Sequence, residues 1–428
     1  MRYKSPKKNL FLKNREKLVK QLLENSIAII HSNDEMPRNG DQTFPFRQNS
    51  DFFYLTGLDQ PGCILLLCPA HPDEKKREMV FTQKTDEKTA TWEGDKYTKS
   101  EVTKVSGVEN VFWLEDFEMQ LRDCLLRFDD VFLNQNEYLK FQTPVPVKDD
   151  RFVTELKEKY PLHHYHRLAP LLKNSRVVKE EEELEMMQQA AHITGKAFDR
   201  ILDTLKPGMK EYEIEAEMTY EFMRNGAQGH AYPPIVASGK NACVLHYTNN
   251  DNECRDGDLL LMDFGAEYGN YAADVSRTIP VNGRFTHRQK ECYEAVLDVQ
   301  KRAIELLVPG KTVKEVNEQV RGMMEQAMID MGLFTRKDVD NQDPEKPLSR
   351  NYFMHGVSHF IGLDVHDVGD MDAPLKEGMV LTCEPGLYIA DEAIGIRIED
   401  DVVVADKPVN LSASIPKETE EIEQAMQK

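Results

Sequence analysis

No stretch of the 428-residue chain approaches the roughly 18 consecutive apolar residues that a membrane span requires. Its basic start, MRYKSPKKNLFLKNREK, is not followed by the apolar core of a secretory signal. Cysteine is sparse and irregular: seven residues, an odd number, without a CxxC pair, argue against a disulfide framework and fit a reducing compartment, so the cytoplasm is the expected location. Positive charge is also short. With 54 Lys and Arg against 74 Asp and Glu the net charge is −20, which argues against nucleic acid or an anionic membrane as a partner, since both need a basic surface. There is no low-complexity tract, and 40% hydrophobic with 30% charged residues is the composition of a folded, soluble chain. The length suffices for two or three domains of about 100–200 residues each.

What is present divides near residue 174. The segment up to about residue 25 reads as a basic helix leading into an apolar strand ending at His31. The runs CILLLC and EMVFTQ read as strands and FEMQLRDCLLRF has helical spacing, so residues 1–173 are expected to form an α/β domain. The polar stretch around KNSRVVKEEEELE then opens a long amphipathic helix that starts a second domain, residues 174–428. Its charge run, KEEEELE, reads as a solvated first turn in which carboxylates favour the helix dipole.

The second domain holds the densest chemistry. MHGVSHFIGLDVHD (354–367) places His355, His359 and His366 within twelve residues, and Glu384 in TCEPGLY and Glu399 in GIRIEDD follow. Upstream lie Asp263 in LLLMDFGAEYG and Asp274 in YAADVSRT. An internal repeat links the two groups. LKPGMKEYEIEAE aligns with LVPGKTVKEVNEQ, and DGDLLLMDFG aligns with EGMVLTCEPG, superimposing Asp263 on Glu384; His246 falls against His366 within one residue of the same offset. Two similar α+β halves facing each other across a pseudo-twofold axis would explain this, each giving acidic groups to a shared centre.

Local geometry supports the convergence. LLLMDFGAEYGNYAADV reads as a hairpin turning at Gly269-Asn270, which sets Asp274 opposite Gly265 and two residues from Asp263. In IGIRIE the isoleucines alternate with Arg397 and Glu399, so a strand turns those two polar side chains to the same face. By the same parity Cys383 points away from Glu384. His355 and His359 share a face in either a helix or a strand, whereas His366 needs the bend that Gly362 permits. Four carboxylates with one or two imidazoles form a hard, oxygen-rich donor set that suits Mn²⁺, with Fe²⁺, Co²⁺ or Zn²⁺ as substitutes. Two ions sharing bridging carboxylates fit that charge better than one.

HGVSHFIGLDVHD, the paired Asp segments, EPGLY and GIRIEDD resemble the metal-dependent Xaa-Pro peptidases of the pita-bread fold, and most closely the aminopeptidase P family; FPFRQNSDFFYLTG (44–57) extends the resemblance into the first domain. The resemblance implies an N-terminal creatinase-like α/β domain followed by a pita-bread catalytic domain. It implies a dinuclear site, usually manganese, with Asp263, Asp274, His359, Glu384 and Glu399 as ligands, Asp274 and Glu399 bridging both ions. Glu384 would also shuttle the proton for the attacking hydroxide. His246, His355 and His366 match substrate-contacting histidines, and Arg397 a supporting arginine. The implied substrates are peptides with proline second, cut before that proline, and the implied assembly is a homodimer or homotetramer.

Plainer readings apply elsewhere. His163, His164 and His166 in LHHYH read as solvated residues without an acidic partner set. Trp92 resembles a position near the family's subunit contacts but reads equally as a packing aromatic. The C-terminal KETEEIEQAMQK reads as a surface helix. The alternatives to an aminopeptidase are a prolidase of the same fold, confined to Xaa-Pro dipeptides, and a metal-free relative acting as a creatinase-like hydrolase or binding module.

Overall fold

The computed structural model describes residues 3–141 and 143–427. They form two compact units, Ser5–Arg176 and Val177–Lys428, the latter joined by Met1–Lys4. The first unit is built on a six-stranded mixed sheet of β1 (Ser26–His31), β2 (Ile64–Leu67), β3 (Glu78–Thr82), β4 (Val111–Trp113), β5 (Asp130–Leu133) and β6 (His164–Arg167), in the order β4-β3-β2-β1-β5-β6. The β-branched and aliphatic runs of β1 and β2 are buried along their whole length, as expected of strands covered on both faces. Helices α1 (Lys8–Val19), α2 (Phe117–Leu125) and α3 (Lys148–Lys159) accompany the sheet. The SDFFYLT stretch is a short helix with Phe52, Phe53, Tyr54 and Leu55 buried, capped by Asn49 and closed by Gly57 at φ 67°. A Cβ at Gly57 would stand 2.2 Å from the Phe11 ring, so this part of the motif serves packing.

His164 and His166 are not free of acidic partners. Both face Asp130 across the parallel β5–β6 pair, at 3.7 Å and 2.6 Å, and His163 Nε2 lies 2.8 Å from the Leu125 carbonyl. Trp92 is 81% exposed, which removes the packing reading for it.

The second unit has the pita-bread architecture, built twice. The first half comprises α4 (Glu181–Thr204), α5 (Glu211–Arg224), β7 (Ile235–Ser238), β8 (Leu259–Phe264), β9 (Ala266–Tyr268), β10 (Tyr271–Ala272) and β11 (Val275–Pro280). The second comprises α6 (His287–Ile304), α7 (Val313–Asp330), β12 (Val380–Cys383), β13 (Gly386–Ile389), β14 (Ile394–Arg397) and β15 (Asp400–Val403). The repeated Pro-Gly turns behave alike: Gly208 and Gly310 both adopt φ 93°, before α5 and α7. Gly257 and Gly378, at φ 86° and 81°, each stand two residues before the strand that leads to the half's first acid, β8 containing Asp263 and β12 ending just before Glu384. Both halves feed one hydrophobic core, with Phe198, Met262 and Phe264 from the first and Leu381, Ile396 and Ile398 from the second.

The first turn of α4 is not solvated throughout. Glu183 is 2% exposed, accepts from the Tyr271 hydroxyl at 3.0 Å and from the Glu180 backbone N–H at 2.9 Å, and so serves as an internal cap. The terminal helix α8 (Thr419–Met426) likewise buries Thr419 and Ile422 instead of lying free on the surface.

A candidate dinuclear metal centre

The hairpin register decides where the first two acids stand. Gly269 and Asn270 adopt φ 59° and 66°, the left-handed pair that lets a two-residue turn match strand twist. The pairs Tyr268↔Tyr271, Glu267↔Ala272, Phe264↔Val275 and Asp263↔Ser276 follow without a slip, which sets Asp274 opposite Gly265. A Cβ on Gly265 would lie 1.7 Å from the Ala273 carbonyl oxygen, so only glycine lets the two strands approach this closely. The second half repeats the plan. Glu384 follows β12 as Asp263 nears the end of β8, and Glu399 precedes β15 as Asp274 precedes β11.

His359 comes from a segment that is neither helix nor strand. Residues 354–367 are irregular, with one isolated bridge from Phe360 to Leu381, so the shared face expected for His355 and His359 has no regular element behind it. Backbone pairing still fixes His359: its N–H donates to Thr382 Oγ1 (3.1 Å) and its carbonyl accepts from Thr382 N–H (2.9 Å). His359 Nδ1 lies 3.1 Å from the Phe360 carbonyl, which leaves Nε2 as the free ligand nitrogen. That Nε2 lies 3.4 Å from Asp274 and 3.7 Å from Glu384. One ligand atom each from Asp274, His359 and Glu399 lie within 4.8 Å of one another.

Supporting groups orient the acids. Arg397 donates from Nη2 to Asp263 (2.6 Å), from Nη1 to Tyr388 (2.9 Å) and from Nε to Ser276 Oγ (2.9 Å). Ser276 donates in turn to Glu399 Oε2 at 2.7 Å. The Tyr232 hydroxyl stands between Asp263 Oδ1 (2.6 Å) and Asp274 Oδ1. Sequence reasoning missed Tyr232, Ser276 and Tyr388. Ser276 was within its reach, because it lies two residues from Asp274 and therefore on the same strand face. Tyr232 carried no periodic signal; it arrives because the following strand, β7, pairs Ile235 with Asp263.

Electrostatics tests the fit of a metal. Burial, then the neighbouring Asp263 charge, pushes Asp274 well above the ordinary carboxylate range; burial, then Asp274, does the same to Glu399. Burial also raises Glu384, against the pull of His359 and Arg397. Four carboxylates thus face one guanidinium in a largely buried site, and divalent cations would oppose each upward push. Cys383 points away, its sulfur 3.8 Å from the Gln300 carbonyl, which leaves an oxygen-rich set with one imidazole. The donors fit two hard divalent ions.

The other histidines divide. His355 Nε2 sits 2.8 Å from the Tyr388 hydroxyl and Nδ1 2.7 Å from the Gly356 carbonyl, with Glu384 at 3.6 Å. Burial and then the Arg397 charge hold its pKa down to about 4. His366 is exposed, with its ring centroid 4.5 Å from that of His359. His246 is exposed on the turn after Cys243.

Residues 185–406 match the profile of metallopeptidase family M24, and residues 11–132 that of the aminopeptidase P N-terminal domain. The chain belongs to metallopeptidase family M24. An Xaa-Pro aminopeptidase of Escherichia coli is 38% identical over 97% of both chains. One from Haemophilus influenzae is also 38% identical, over 99% of this chain and 98% of its own. A zinc-substituted E. coli aminopeptidase P in complex with product superimposes with a TM-score of 0.88 at 35% identity, covering 99% of each chain. As an M24 enzyme the protein is a hydrolase whose family chemistry depends on divalent metal.

Behind this acidic cluster the M24 domain holds a second one of opposite balance. Arg277, fully buried, donates to the carbonyls of Ser276, Glu399, Ile415 and Pro416 and to Asp400 Oδ1 (2.7 Å). Asp400 also accepts from Gln300 (2.8 Å), Asn410 (2.8 Å) and Lys417 (2.6 Å). Burial alone would raise Asp400, yet Arg277 and Lys417 hold it well below the usual carboxylate range.

Proposed function

We propose that this protein is an Xaa-Pro aminopeptidase that releases the first residue from peptides with proline in second position. The observation that carries the reading is the gathering of two acids from each half, with His359, around one largely buried centre, in a chain whose relatives bear that name. Asp263, Asp274, His359, Glu384 and Glu399 are the residues that would hold two divalent ions, proposed to be Mn²⁺ with Co²⁺, Zn²⁺ or Fe²⁺ as substitutes. Such a pair supplies the charge that acidifies a water and polarises a carbonyl.

The chain's own groups do the rest. Glu384 takes the proton of the attacking water and passes it to the departing proline nitrogen, which, as a tertiary amide, has no N–H of its own. Arg397 holds Asp263 and Tyr388 in place, and Tyr388 in turn holds a neutral His355. His246 and His366, both exposed, and His366 against the His359 ring, are the proposed contacts for the substrate and the developing oxyanion. Residues 1–173 are the proposed N-terminal domain and 174–428 the proposed catalytic domain, which acts on free peptide N-termini. The exposed Trp92 supports a homo-oligomer, dimer or tetramer, and seven free thiols support a cytoplasmic location.

The test is hydrolysis of Xaa-Pro dipeptides against Xaa-Pro-Yaa tripeptides and longer chains, by metal-stripped and Mn²⁺-restored protein. Mn²⁺-dependent release of the first residue from tripeptides and longer substrates is expected. Cleavage of dipeptides alone would replace the proposal with a prolidase, and no cleavage despite bound metal would end it.

A further inference from the structure

The loop between His359 and His366 is tied shut by a buried ion pair. Lys179 Nζ lies 3.0 Å from Asp367 Oδ2, and the two side chains are 1% and 2% exposed. Lys179 stands just before α4, at the opposite end of the domain's sequence, 188 residues from its partner. Its backbone is fixed independently: the Lys179 N–H donates to the Gly378 carbonyl at 2.9 Å, and Val178 bridges Met379. Asp367 closes the loop on itself, its N–H donating to the Phe360 carbonyl at 2.8 Å.

The loop folds directly over this pair. A Cβ on Gly362 would meet Asp367 Oδ2 at 2.3 Å and Lys179 Cε at 2.8 Å, so the backbone passes where any side chain would displace the ions. The Gly362 carbonyl accepts from Ala272 N–H at 2.8 Å, which ties the same loop to the segment leading to Asp274. A charge pair removed from water gains little net stability over apolar residues of the same volume, and its best-attested use is to fix one arrangement among several.

We infer that Lys179 and Asp367 are positioning residues, a buried latch that sets where the loop presents His366 toward the substrate. The backbone of His359 is held separately, because Thr382 takes both its N–H and its carbonyl; it shares with the latch the Phe360 carbonyl, which receives the Asp367 N–H and lies against His359 Nδ1. The latch therefore acts on substrate engagement more than on metal binding. This rests on the substrate role proposed above for His366, so the experiment carries one readout that needs no activity.

Lys179→Met, Asp367→Asn and the double variant Lys179→Met/Asp367→Leu are compared with the wild-type protein by thermal melt, Mn²⁺ titration, amide hydrogen exchange across residues 357–369, and kcat and KM on an Xaa-Pro-Yaa tripeptide. The single variants strand one buried charge and are expected to melt early. The double variant removes both charges and keeps its fold. It is expected to hold Mn²⁺ with much less than the roughly tenfold loss that follows removal of a ligand's supporting group. Its Gly362 and Asp367 amides exchange faster, and kcat/KM falls by on the order of ten- to a hundredfold, chiefly through KM. Unchanged exchange and kcat/KM in a folded double variant would overturn the latch. So would a loss of activity that merely follows lost Mn²⁺. If the wild-type protein cleaves no peptide, the aminopeptidase reading fails and the exchange data alone decide the latch.

Discussion

Glu399 and Asp400 are neighbours in sequence, both buried, and treated in opposite ways. Asp400 is answered from within the chain by Arg277, Lys417, Gln300 and Asn410, and is held ionised. Glu399 faces Asp274 and is pushed toward its neutral form, with a serine hydroxyl as its closest partner. The strand parity that turns one side chain forward turns the next one back. The fold is therefore able to neutralise a buried carboxylate, does so one residue away, and leaves Arg397 to answer four carboxylates at the acidic centre. Charge left over at such a place points to cations from solution, and the cluster behind it to the cost of holding the centre rigid.

This contrast can be broken by experiment. Replacing Asp274 or Glu399 by Ala should produce the largest effect, a loss of several kcal/mol of transition-state stabilisation or roughly 10³-fold in kcat/KM. Calorimetry should show weaker Mn²⁺ binding alongside it; full activity in either variant would contradict the proposed ligand set. On the other side, Asp400→Asn strands the Arg277 charge and should cost about 3–5 kcal/mol in urea unfolding of metal-stripped protein. Glu399→Gln should cost that metal-stripped protein no stability. Equal losses from the two substitutions would show that the clusters do not differ in kind.

Two smaller effects sharpen the comparison. Adding Mn²⁺ at about 100 times its Kd to stripped protein should stabilise the fold by about 2.7 kcal/mol for each site filled, seen as a rise in Tm. Glu399→Gln should blunt that rise, whereas Ser412→Ala, which removes a hydroxyl accepting from the backbone N–H of Asp401, should leave it unchanged. Ser276→Ala removes the hydroxyl between Arg397 and Glu399, and should weaken Mn²⁺ binding about tenfold. Ser276→Thr keeps the hydroxyl and is expected to restore most of that affinity, to be read in the same titration.

The sequence makes legible what short-range rules control. The Gly269-Asn270 turn dictates a register that carries through to Asp263 and Asp274, and the alternation in IGIRIE puts Arg397 and Glu399 on one side. The pita-bread duplication shows because the two Pro-Gly turns and the two acid-bearing strands recur in order. Long-range pairings stay hidden. Nothing local announces that Tyr232 will meet Asp263, that Arg277 will meet Asp400, or that Lys179 will meet Asp367. The segment 354–367 escapes periodic analysis because backbone pairing to Thr382 and Leu381, not a regular element, holds it. The acidic partner of His164 and His166 in LHHYH stays hidden because Asp130 belongs to a strand more than thirty residues earlier, whereas His164 is exposed as expected. The acids of KEEEELE look uniformly solvated because helical phase alone does not tell that Glu183 will meet Tyr271.

The duplicated architecture has a mechanical side. Asp263 and Asp274 belong to one half of the pita-bread domain, Glu384 and Glu399 to the other, and the seam between the halves runs through their midst. On the proposed ligand set each ion is a rivet through that seam. Pulled apart, the halves would have to shed their ions before they could part, so a stretched single molecule should yield at higher force when loaded than when stripped.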